Sequence, residues 1–252
     1  MEPYLNILQQ FEPISLSEMD RVKLLNRVDT KYVFELSKLE QILNDVSPFY
    51  SVLELKAKRT NSYKTLYFDT PDLDCYIQHH NGKLNRTKIR FRKYVESELN
   101  FLEIKFKNNK ERTIKKRIKV EEIEPQLSAA SIEFIDNYSL LEGNALEASL
   151  WNTFTRITLV HKTVNERLTI DLNLAFKNVK TNEEASAPHI VIAELKQSKA
   201  NVNSDFVKAI KKYHIRPMGM SKYCIGTALL NKNLKSNNFK ERILKINKLK
   251  YA

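Results

Sequence analysis

The chain has 252 residues, of which 42% are hydrophobic, and it carries a net charge of +12. It is therefore long enough for one large domain and too apolar for wholesale disorder, and its charge indicates an anionic partner such as nucleic acid, a phosphate compound or an acidic membrane surface. Two cysteines, Cys75 and Cys224, exclude a disulfide framework and a cysteine-based zinc cluster.

Targeting and membrane segments are not apparent in the sequence. The opening segment MEPYLNILQQFEPISLSEMD is acidic and lacks the basic and apolar regions of a secretion signal. No apolar run approaches the roughly 18 residues that a membrane-spanning helix needs. We therefore expect a soluble, cytoplasmic protein.

Helices are predicted at the start of the chain. Apolar residues at helical spacing predict an N-terminal helix over residues 3–26, with Ser15 or Ser17 as its cap. The segment SKLEQILNDV predicts a second helix, with Ser37 as its cap and Pro48 just beyond its end.

Strands dominate the middle of the chain. Alternating apolar and polar residues predict strands at 63–70, 88–94, 100–107, 112–120, 155–163, 167–176 and 189–197. A helical insert is expected around 127–151. Two further helices are expected at 204–214 and 221–231, before a basic tail.

This order of elements predicts an α+β fold, with seven or eight antiparallel strands in a β-barrel and helices packed outside. We expect one domain over residues 1–252: the N-terminal helix 3–26, the barrel at about 27–197 and C-terminal helices at about 204–252.

Rows of charged residues alternate with apolar rows in several of these strands. In RTKIRFRKYV, Lys88, Arg90 and Arg92 share one face, and Ile89 and Phe91 share the other. The same division recurs in NFLEIKFK, RTIKKRIKV, TFTRITLV and NERLTIDLNLAF. A barrel closed with the charged face inward has a cationic lumen, whereas the opposite choice leaves the charges in water. Periodicity alone favours the solvated face.

Two features of the charged rows favour the enclosed face instead. Arginine occurs repeatedly in these rows, and its planar fork suits bidentate phosphate recognition. Carboxylates also recur among the cations, as expected where an anion site also needs a divalent metal. These carboxylates are Glu103 beside Lys105, Asp171 after Arg167 and Glu194 before Lys196. Spacing alone does not decide between the two faces.

Eight motifs in order resemble a known family. They are NRVDTKYVF, LYFDTPDLDCY, KIRFRKY, FLEIKFK, KKR, ERLTIDLNL, VIAELK and PMGMSKYCIG. From about Arg27 to Gly226 the sequence resembles the VTC domain, a polyphosphate polymerase domain of the triphosphate tunnel metalloenzyme group. The resemblance implies an eight-stranded antiparallel tunnel β-barrel, a polyphosphate or triphosphate ligand, and a divalent metal, Mn²⁺ or Mg²⁺.

The resemblance also implies roles for individual residues. The implied phosphate ligands are Lys31, Arg90, Arg92, Lys105, Lys115 or Arg117 of the KKR motif, Arg156, Arg167, Ser221 and Lys222. Glu194 matches the metal-binding carboxylate and, with Arg90, Arg92 and Lys105, makes up the expected catalytic set. One departure from the wider group is RVDTK in place of its E-x-E-x-K signature. This departure disfavours simple triphosphatase or adenylate cyclase chemistry.

The function predicted from the resemblance is a metal-dependent polyphosphate polymerase. It would transfer the γ-phosphate of a nucleoside triphosphate onto a polyphosphate chain in the tunnel. Two alternatives remain open: a triphosphate or tripolyphosphate hydrolase on the same fold, and a non-enzymatic polyanion binder. Nucleic acid is disfavoured as a partner, because no exposed row of stacking aromatic residues is visible.

Several other polar features are interpreted as structural. His161 is expected to have a structural role, and HHNGK at 79–83 predicts a turn rather than a metal site. The basic tail after residue 231 is expected to dock on the barrel or close one tunnel end. Peripheral contact of this tail with an acidic membrane is the less favoured alternative.

Overall fold

The structure is a computed structural model that describes residues 4–19, 27–110 and 112–251. The helices are α1 Tyr4–Leu8, α2 Leu16–Met19, α3 Leu39–Val46, α4 Asp74–His80, α5 Ala129–Tyr138, α6 Asp205–Lys212, α7 Lys222–Leu230 and α8 Asn237–Lys248, with single 3₁₀ turns at Leu36–Lys38 and Gly143–Ala145. The strands are β1 Glu12–Ile14, β2 Val28–Glu35, β3 Tyr50–Leu53, β4 Asn61–Asp69, β5 Arg86–Tyr94, β6 Leu99–Lys107, β7 Thr113–Val120, β8 Glu147–His161, β9 Glu166–Asn178, β10 Glu184–Ala187 and β11 Ile190–Gln197.

Eight of the strands form one antiparallel path. Its order is β2-β11-β9-β8-β4-β5-β6-β7, and the three short strands attach at its sides, β3 on β8, β1 on β3 and β10 on β9. The predicted α+β fold with eight antiparallel strands and flanking helices is therefore confirmed. No helix in the described ranges is both long and apolar enough to cross a membrane.

The sheet is curved but not closed by hydrogen bonds, which corrects the prediction of a closed barrel. Within the described residues, no ladder joins β2 to β7. The curvature is nevertheless strong, because Lys105 of β6 interacts electrostatically with Lys31 of β2 and Glu194 of β11, near the other end of the path. The open edge strand β7 has the sequence TIKKRIKV, and lysine-rich edges resist pairing with another strand.

The N-terminal segment differs from the predicted helix over 3–26. Two short helices, α1 and α2, are separated by β1, which pairs in parallel with β3. Pro13 lies within β1, and proline disrupts a helix interior because it has no N–H group and its ring clashes with the preceding turn. Residues 20–26 of the predicted helix lie outside the described residues.

The predicted helix caps have mixed outcomes. Ser15 caps α2 in a capping box: its Oγ accepts from the backbone N–H of Glu18, and the Glu18 carboxylate accepts from the backbone N–H of Ser15. Ser37 does not cap α3, because it lies inside the preceding 3₁₀ turn and Lys38 occupies the cap position.

The predicted helical insert at 127–151 is shorter than expected. Helix α5 ends at Tyr138, and residues from Glu147 onward belong to β8. Burial alternates residue by residue over the first half of β8, which is the period of a strand and not of a helix. The predicted strand at 155–163 is therefore the second half of a 15-residue strand.

The outer side of the sheet is apolar and covered by helices. Ile89 and Phe91 of β5 pack with β6 and with Phe134 and Ile135 of α5. On the other half of the sheet, β8, β9, β11 and β2 pack against α1, α3 and α6. Because side chains alternate along a strand, the charged rows of β5 and its neighbours must lie on the concave side, called the inner face here.

Helix α7 packs on the inner face at one end of the sheet. Tyr223, Cys224 and Ile225 join a core with Val33 of β2 and Phe154 of β8. Helix α8 docks beside α7, with Phe239 and Ile246 buried in the same core. The basic tail after residue 231 is therefore docked on the sheet and α7, as predicted from the sequence.

Candidate active site

The charged rows of neighbouring strands form one continuous surface. In the ladder from β5 to β7, Arg90 lies opposite Glu103, and Glu103 lies opposite Arg117. One pair further along, Lys88 lies opposite Lys105, which lies opposite Lys115. Directly paired residues point to the same side of a sheet. All of these side chains therefore belong to the inner face.

The other half of the sheet adds to the same surface. Glu194 of β11 pairs with Lys31 of β2. Arg156 of β8 pairs with Asp171 of β9 on one side and with Asn61 of β4 on the other. All of the strand residues predicted as ligands lie on this face: Lys31, Arg90, Arg92, Lys105, Lys115, Arg117, Arg156, Arg167 and Glu194.

The start of α7 brings two further predicted residues to this face. Ser221 caps the helix, with its Oγ accepting from the backbone N–H of Cys224 at 3.3 Å. The same Oγ accepts from Lys88 Nζ at 2.8 Å, and Lys31 Nζ donates to the carbonyl of Met220 at 3.0 Å. Lysines from β2 and β5 therefore converge on the amino end of α7, where the helix dipole also favours an anion.

A buried carboxylate links α7 to the sheet. Asp171 is 2% exposed, and its two oxygens accept from Arg156 Nε and Nη2 at 2.5 and 2.8 Å. Lys222 of α7 forms an ion pair with the same carboxylate. Burial alone would raise the pKa of Asp171, but Arg156 and Lys222 outweigh it and hold the pKa well below its usual range. These three residues are called the Asp171 cluster.

A second buried carboxylate joins β5, β6 and β7. Glu103 is 1% exposed and accepts from Arg90 Nε and Nη2 at 2.9 and 2.8 Å. Its other oxygen lies 2.5 Å from Lys115 Nζ. The pKa of Glu103 is lowered because nearby cations, Arg90 first among them, outweigh the effect of burial. Glu103, Arg90 and Lys115 are called the Glu103 cluster.

Aromatic rings support the guanidinium groups from within the same face. The Arg156 guanidinium lies 4.9 Å from the Tyr63 ring and 5.2 Å from the Phe154 ring. Arg92 lies within 6 Å of the same two rings, and Lys222 Nζ is 4.5 Å from Phe154. Such cation–π contacts hold the cations without using up their hydrogen-bond donors.

The lysines of the inner face are less basic than ordinary lysines. Burial, with a contribution from neighbouring cations, lowers the pKa of Lys88 and of Lys105 to about 8. Burial also lowers the pKa of Lys222 to about 8, with Arg156 adding to the effect. A bound anion would oppose both causes, so the face is electrostatically prepared for negative charge.

Two predicted residues lie at the margin of this arrangement. Arg117 is on the exposed edge strand β7, with its guanidinium 4.6 Å from the ring of Phe101. Arg167 lies at the start of β9, and its buried Nε has no hydrogen-bond partner among the described residues. Both share the inner face, but neither belongs to the two carboxylate clusters.

Sequence reasoning missed two residues of the site, Lys88 and Lys196. Lys88 appears in the charged row of β5 but was not assigned as a ligand, and Lys196 was noted only as a neighbour of Glu194. Lys196 Nζ lies 2.5 Å from a Glu194 oxygen. The position of Lys88 on the same strand face as Arg90 and Arg92 was a signal that could have identified it.

Glu194 is better suited to a divalent ion than the carboxylates of the two clusters. The Glu194 side chain is 18% exposed, compared with 1% for Glu103 and 4% for Asp171. Within the described ranges, no three His, Cys, Asp or Glu residues lie close enough to hold a metal by themselves. Mg²⁺ is commonly bound by one or two carboxylates together with substrate phosphates and water. The residues therefore fit an ion that shares its ligands with a bound phosphate.

Other polar features have structural positions. Asp69, at the end of β4, accepts from the backbone N–H groups of Cys75 and Tyr76 and from the hydroxyl of Tyr223. It thereby joins β4, α4 and α7. His161 Nε2 lies 3.0 Å from the Asp205 carboxylate at the start of α6, on the outer side of the sheet.

The antiparallel, curved sheet with a cationic inner face agrees with the triphosphate-tunnel fold that the sequence predicts. The family model described as the VTC domain matches residues 26–231. The chain belongs to the VTC domain family.

Solved structures that are similar to this one are distant in sequence. A putative adenylyl cyclase from Hippeastrum, with a dominant triphosphatase activity, is 12% identical at a TM-score of 0.54, covering 83% of this chain and 99% of its own. A putative adenylate cyclase from Vibrio parahaemolyticus is 12% identical at a TM-score of 0.47, covering 79% and 97%. No curated protein sequence matches the chain. The likeness at these identities concerns the fold.

Proposed function

We propose that this protein is a metal-dependent polyphosphate polymerase that uses a nucleoside triphosphate as its phosphoryl donor. The observation that carries the proposal is the convergence of arginine and lysine side chains from seven strands and α7 on one concave face. A polyanionic chain is the ligand that such a long, continuous cationic surface matches best. Membership of the VTC domain family supports the same substrate class.

The reaction requires little covalent chemistry from the protein. A terminal phosphate oxygen of the polyphosphate chain attacks the γ-phosphorus of the nucleotide. A new P–O bond forms, the bond from the γ-phosphorus to its bridging oxygen breaks, and the nucleoside diphosphate leaves with that oxygen. Terminal phosphates are largely ionised near neutral pH, since their second pKa is about 6. No histidine base is needed, and positioning and charge neutralisation carry the reaction.

The roles of individual residues follow from their free donors. Arg92 uses one N–H group, on Thr65 Oγ1 at 3.4 Å, so most of its fork is available to a phosphoryl group. Arg90 uses its fork partly on Glu103 and on the Tyr67 hydroxyl. Arg90, Arg92 and Lys105 would hold the transferring phosphoryl group, and Lys222 and Ser221 would hold the chain at the α7 end.

The remaining cations extend the track on which the phosphates lie. Lys31, Lys115, Arg117, Arg156 and Arg167 would bind successive phosphates of the nucleotide and the chain. Glu194 would hold Mn²⁺ or Mg²⁺. Bound there, the ion would neutralise charge on the phosphate oxygens and fix their orientation.

Hydrolysis is the second candidate function on the same face. If water replaces the terminal phosphate as acceptor, the same transfer releases inorganic phosphate. The triphosphatase activity of the Hippeastrum protein, which has this fold, favours this alternative. A binder without catalysis is less favoured, because the cations lie on a concave face built around ordered guanidinium groups rather than on a convex surface.

One experiment separates the three functions. The purified protein is incubated with ATP and Mn²⁺, polyphosphate is resolved on a gel, and free phosphate is measured in the same samples. We expect polyphosphate to accumulate with little free phosphate. Free phosphate without polymer would support the hydrolase, and neither product would support the binder. A sample with excess chelator tests the requirement for the metal.

A further inference from the structure

The inner face contains two acidic residues, and the need to bind an anion does not explain why they are there. Asp171 and Glu103 are almost fully buried, and they lie among the cations proposed to bind phosphate. On charge alone, each acid should weaken the binding of an anionic ligand. An anion-binding face would therefore be expected to omit them unless they contribute something else.

Both acids have the same arrangement of partners. Each carboxylate contacts both the Nε and an Nη nitrogen of one arginine, Arg156 for Asp171 and Arg90 for Glu103. Each also contacts a lysine from a third element, Lys222 of α7 or Lys115 of β7. One acid therefore fixes two cations from separate parts of the fold.

We propose that Asp171 and Glu103 are positioning residues, which hold proposed phosphate-binding cations in the geometry that a phosphate chain requires, and are not metal ligands. The proposal rests on the proposed function only in taking a phosphate chain as the ligand. Their contacts support it, because both oxygens of each acid already have a cation within 2.9 Å and are not free for a divalent ion. Glu194 differs, because its Oε1 lies 3.9 Å from Lys31 Nζ, beyond hydrogen-bonding distance.

The fixed geometry has a physical reason. A guanidinium held through its Nε and one Nη has its plane and its remaining N–H groups oriented before the ligand arrives. Binding then orders fewer side-chain torsions, so less conformational entropy is lost. In the Asp171 cluster the carboxylate also fixes Lys222, the first residue of α7, and so ties the helix end to β8 and β9.

The test uses a neutral, nearly isosteric variant. Asp171→Asn adds one positive charge to the site, and Glu184→Gln is the matched control. Glu184 is an exposed acid of β10 paired with Lys177, so its replacement changes the net charge equally without touching the inner face. The dissociation constant for tripolyphosphate is measured by calorimetry without metal, and melting temperatures are measured on the same preparations.

We expect Asp171→Asn to weaken tripolyphosphate binding about tenfold despite its added positive charge, the scale of one lost charge-assisted hydrogen bond. The control should stay within about twofold of the wild type, as expected for a solvent-exposed charge. Unchanged or tighter binding by a folded Asp171→Asn variant would overturn the proposal, because it would mean that only the net charge matters.

A double variant tests whether Asp171 acts through Arg156. If it does, Asp171→Asn combined with Arg156→Lys should lose less affinity than the sum of the two single losses, because the part of the loss that acts through Arg156 is counted only once; independent losses would add in full. Additive losses would overturn the positioning role. If Asp171→Asn does not fold, Glu103→Gln with Arg90→Lys provides the same comparison at the second cluster.

Failure of the proposed function remains distinguishable from failure of this inference. These measurements record binding and need no turnover, so an inactive wild type would reject the polymerase but leave the comparison intact. If the wild type does not bind tripolyphosphate, the NMR signals of the Arg90 and Arg156 Nε–H groups decide. An Arg156 signal that is protected from exchange in the wild type and lost in Asp171→Asn, while the Arg90 signal stays protected, would support positioning. An unchanged Arg156 signal would reject it.

Discussion

Replacing Arg90 and Arg92 with lysine separates specific phosphate recognition from general attraction of anions. The double variant keeps the net charge at +12, so the long-range attraction of anions should be nearly unchanged. Arg90 contacts Glu103 through two nitrogens and Tyr67 through a third. A single ammonium group cannot make these three contacts and also hold a phosphoryl group in a planar fork.

The expected loss can be estimated from these contacts. Each arginine loses about one charge-assisted hydrogen bond to the transferring phosphoryl group, worth about 1–2 kcal/mol. Each site should therefore lose roughly five- to thirtyfold in kcat/KM. Arg92 also loses its contacts with the Tyr63 and Phe154 rings, so some of its loss will reflect displacement of the ammonium group.

The assay measures turnover of ATP with Mn²⁺ and the melting temperature on one preparation. The matched control is Arg112→Lys, because Arg112 is exposed just before β7 and its replacement makes the same chemical change outside the proposed track. A folded double variant with wild-type turnover would refute the assignment of Arg90 and Arg92 as phosphate clamps. It would favour the polyanion binder instead.

Three further predictions concern the metal, the lysines and stability. Glu194→Gln should keep the fold and abolish metal-dependent turnover; wild-type turnover in excess chelator would contradict the metal assignment. The pKa values of Lys88, Lys105 and Lys222 are lowered to about 8, so the affinity for tripolyphosphate should fall as the pH rises through 8. Calorimetry at pH 8.5 in two buffers should show that the protein takes up protons when tripolyphosphate binds. Glu166→Gln should lower the free energy of unfolding by about 1–3 kcal/mol without changing the affinity for tripolyphosphate. This buried carboxylate accepts from Tyr50, Gln197 and Ser204 on the outer side of the sheet. An unchanged melting temperature would contradict the prediction.

The sign of the pH dependence differs between stability and binding. Each of these lysines is protonated in the unfolded chain up to its ordinary pKa of 10.5, but in the folded protein only up to about 8. Between these values the unfolded state binds more protons, so the ligand-free protein should gain stability as pH rises. Phosphate binding should lose affinity over the same range, because the ligand favours the protonated lysines.

The inner face of β5 and β6 could be predicted from sequence because each strand has one apolar face. Ile89 and Phe91 are buried under α5, and the charges between them must then face the opposite side. Residues of β2 gave no such signal. In this strand Val33 packs beneath α7, while Phe34 packs in the outer core. A strand covered on both sides has no alternating pattern to detect.

The carboxylate clusters were less accessible to sequence reasoning. The contact between Asp171 and Arg156 depends on the register of β8 against β9, and that register shifts between Thr153 and Thr155. Asn173 of β9 has a positive φ of 53°. This local distortion could not be predicted from a glycine, because the position is an asparagine. The pairing of the two side chains therefore comes from tertiary structure, although both residue types could be read from the sequence.

The composition of the inner face explains how a concentrated positive charge is tolerated without a ligand. The arginines remain charged, and Asp171 and Glu103 balance Arg156 and Arg90 at hydrogen-bonding distance. The lysines lie nearer to neutrality, since the pKa of Lys88 is about 8, so they can lose protons when no anion is present. On this reasoning the arginine–acid pairs supply fixed geometry, and the lysines supply charge that rises as phosphate enters. A face built only from arginine would hold its charge permanently, and its mutual repulsion would have to be offset by packing alone.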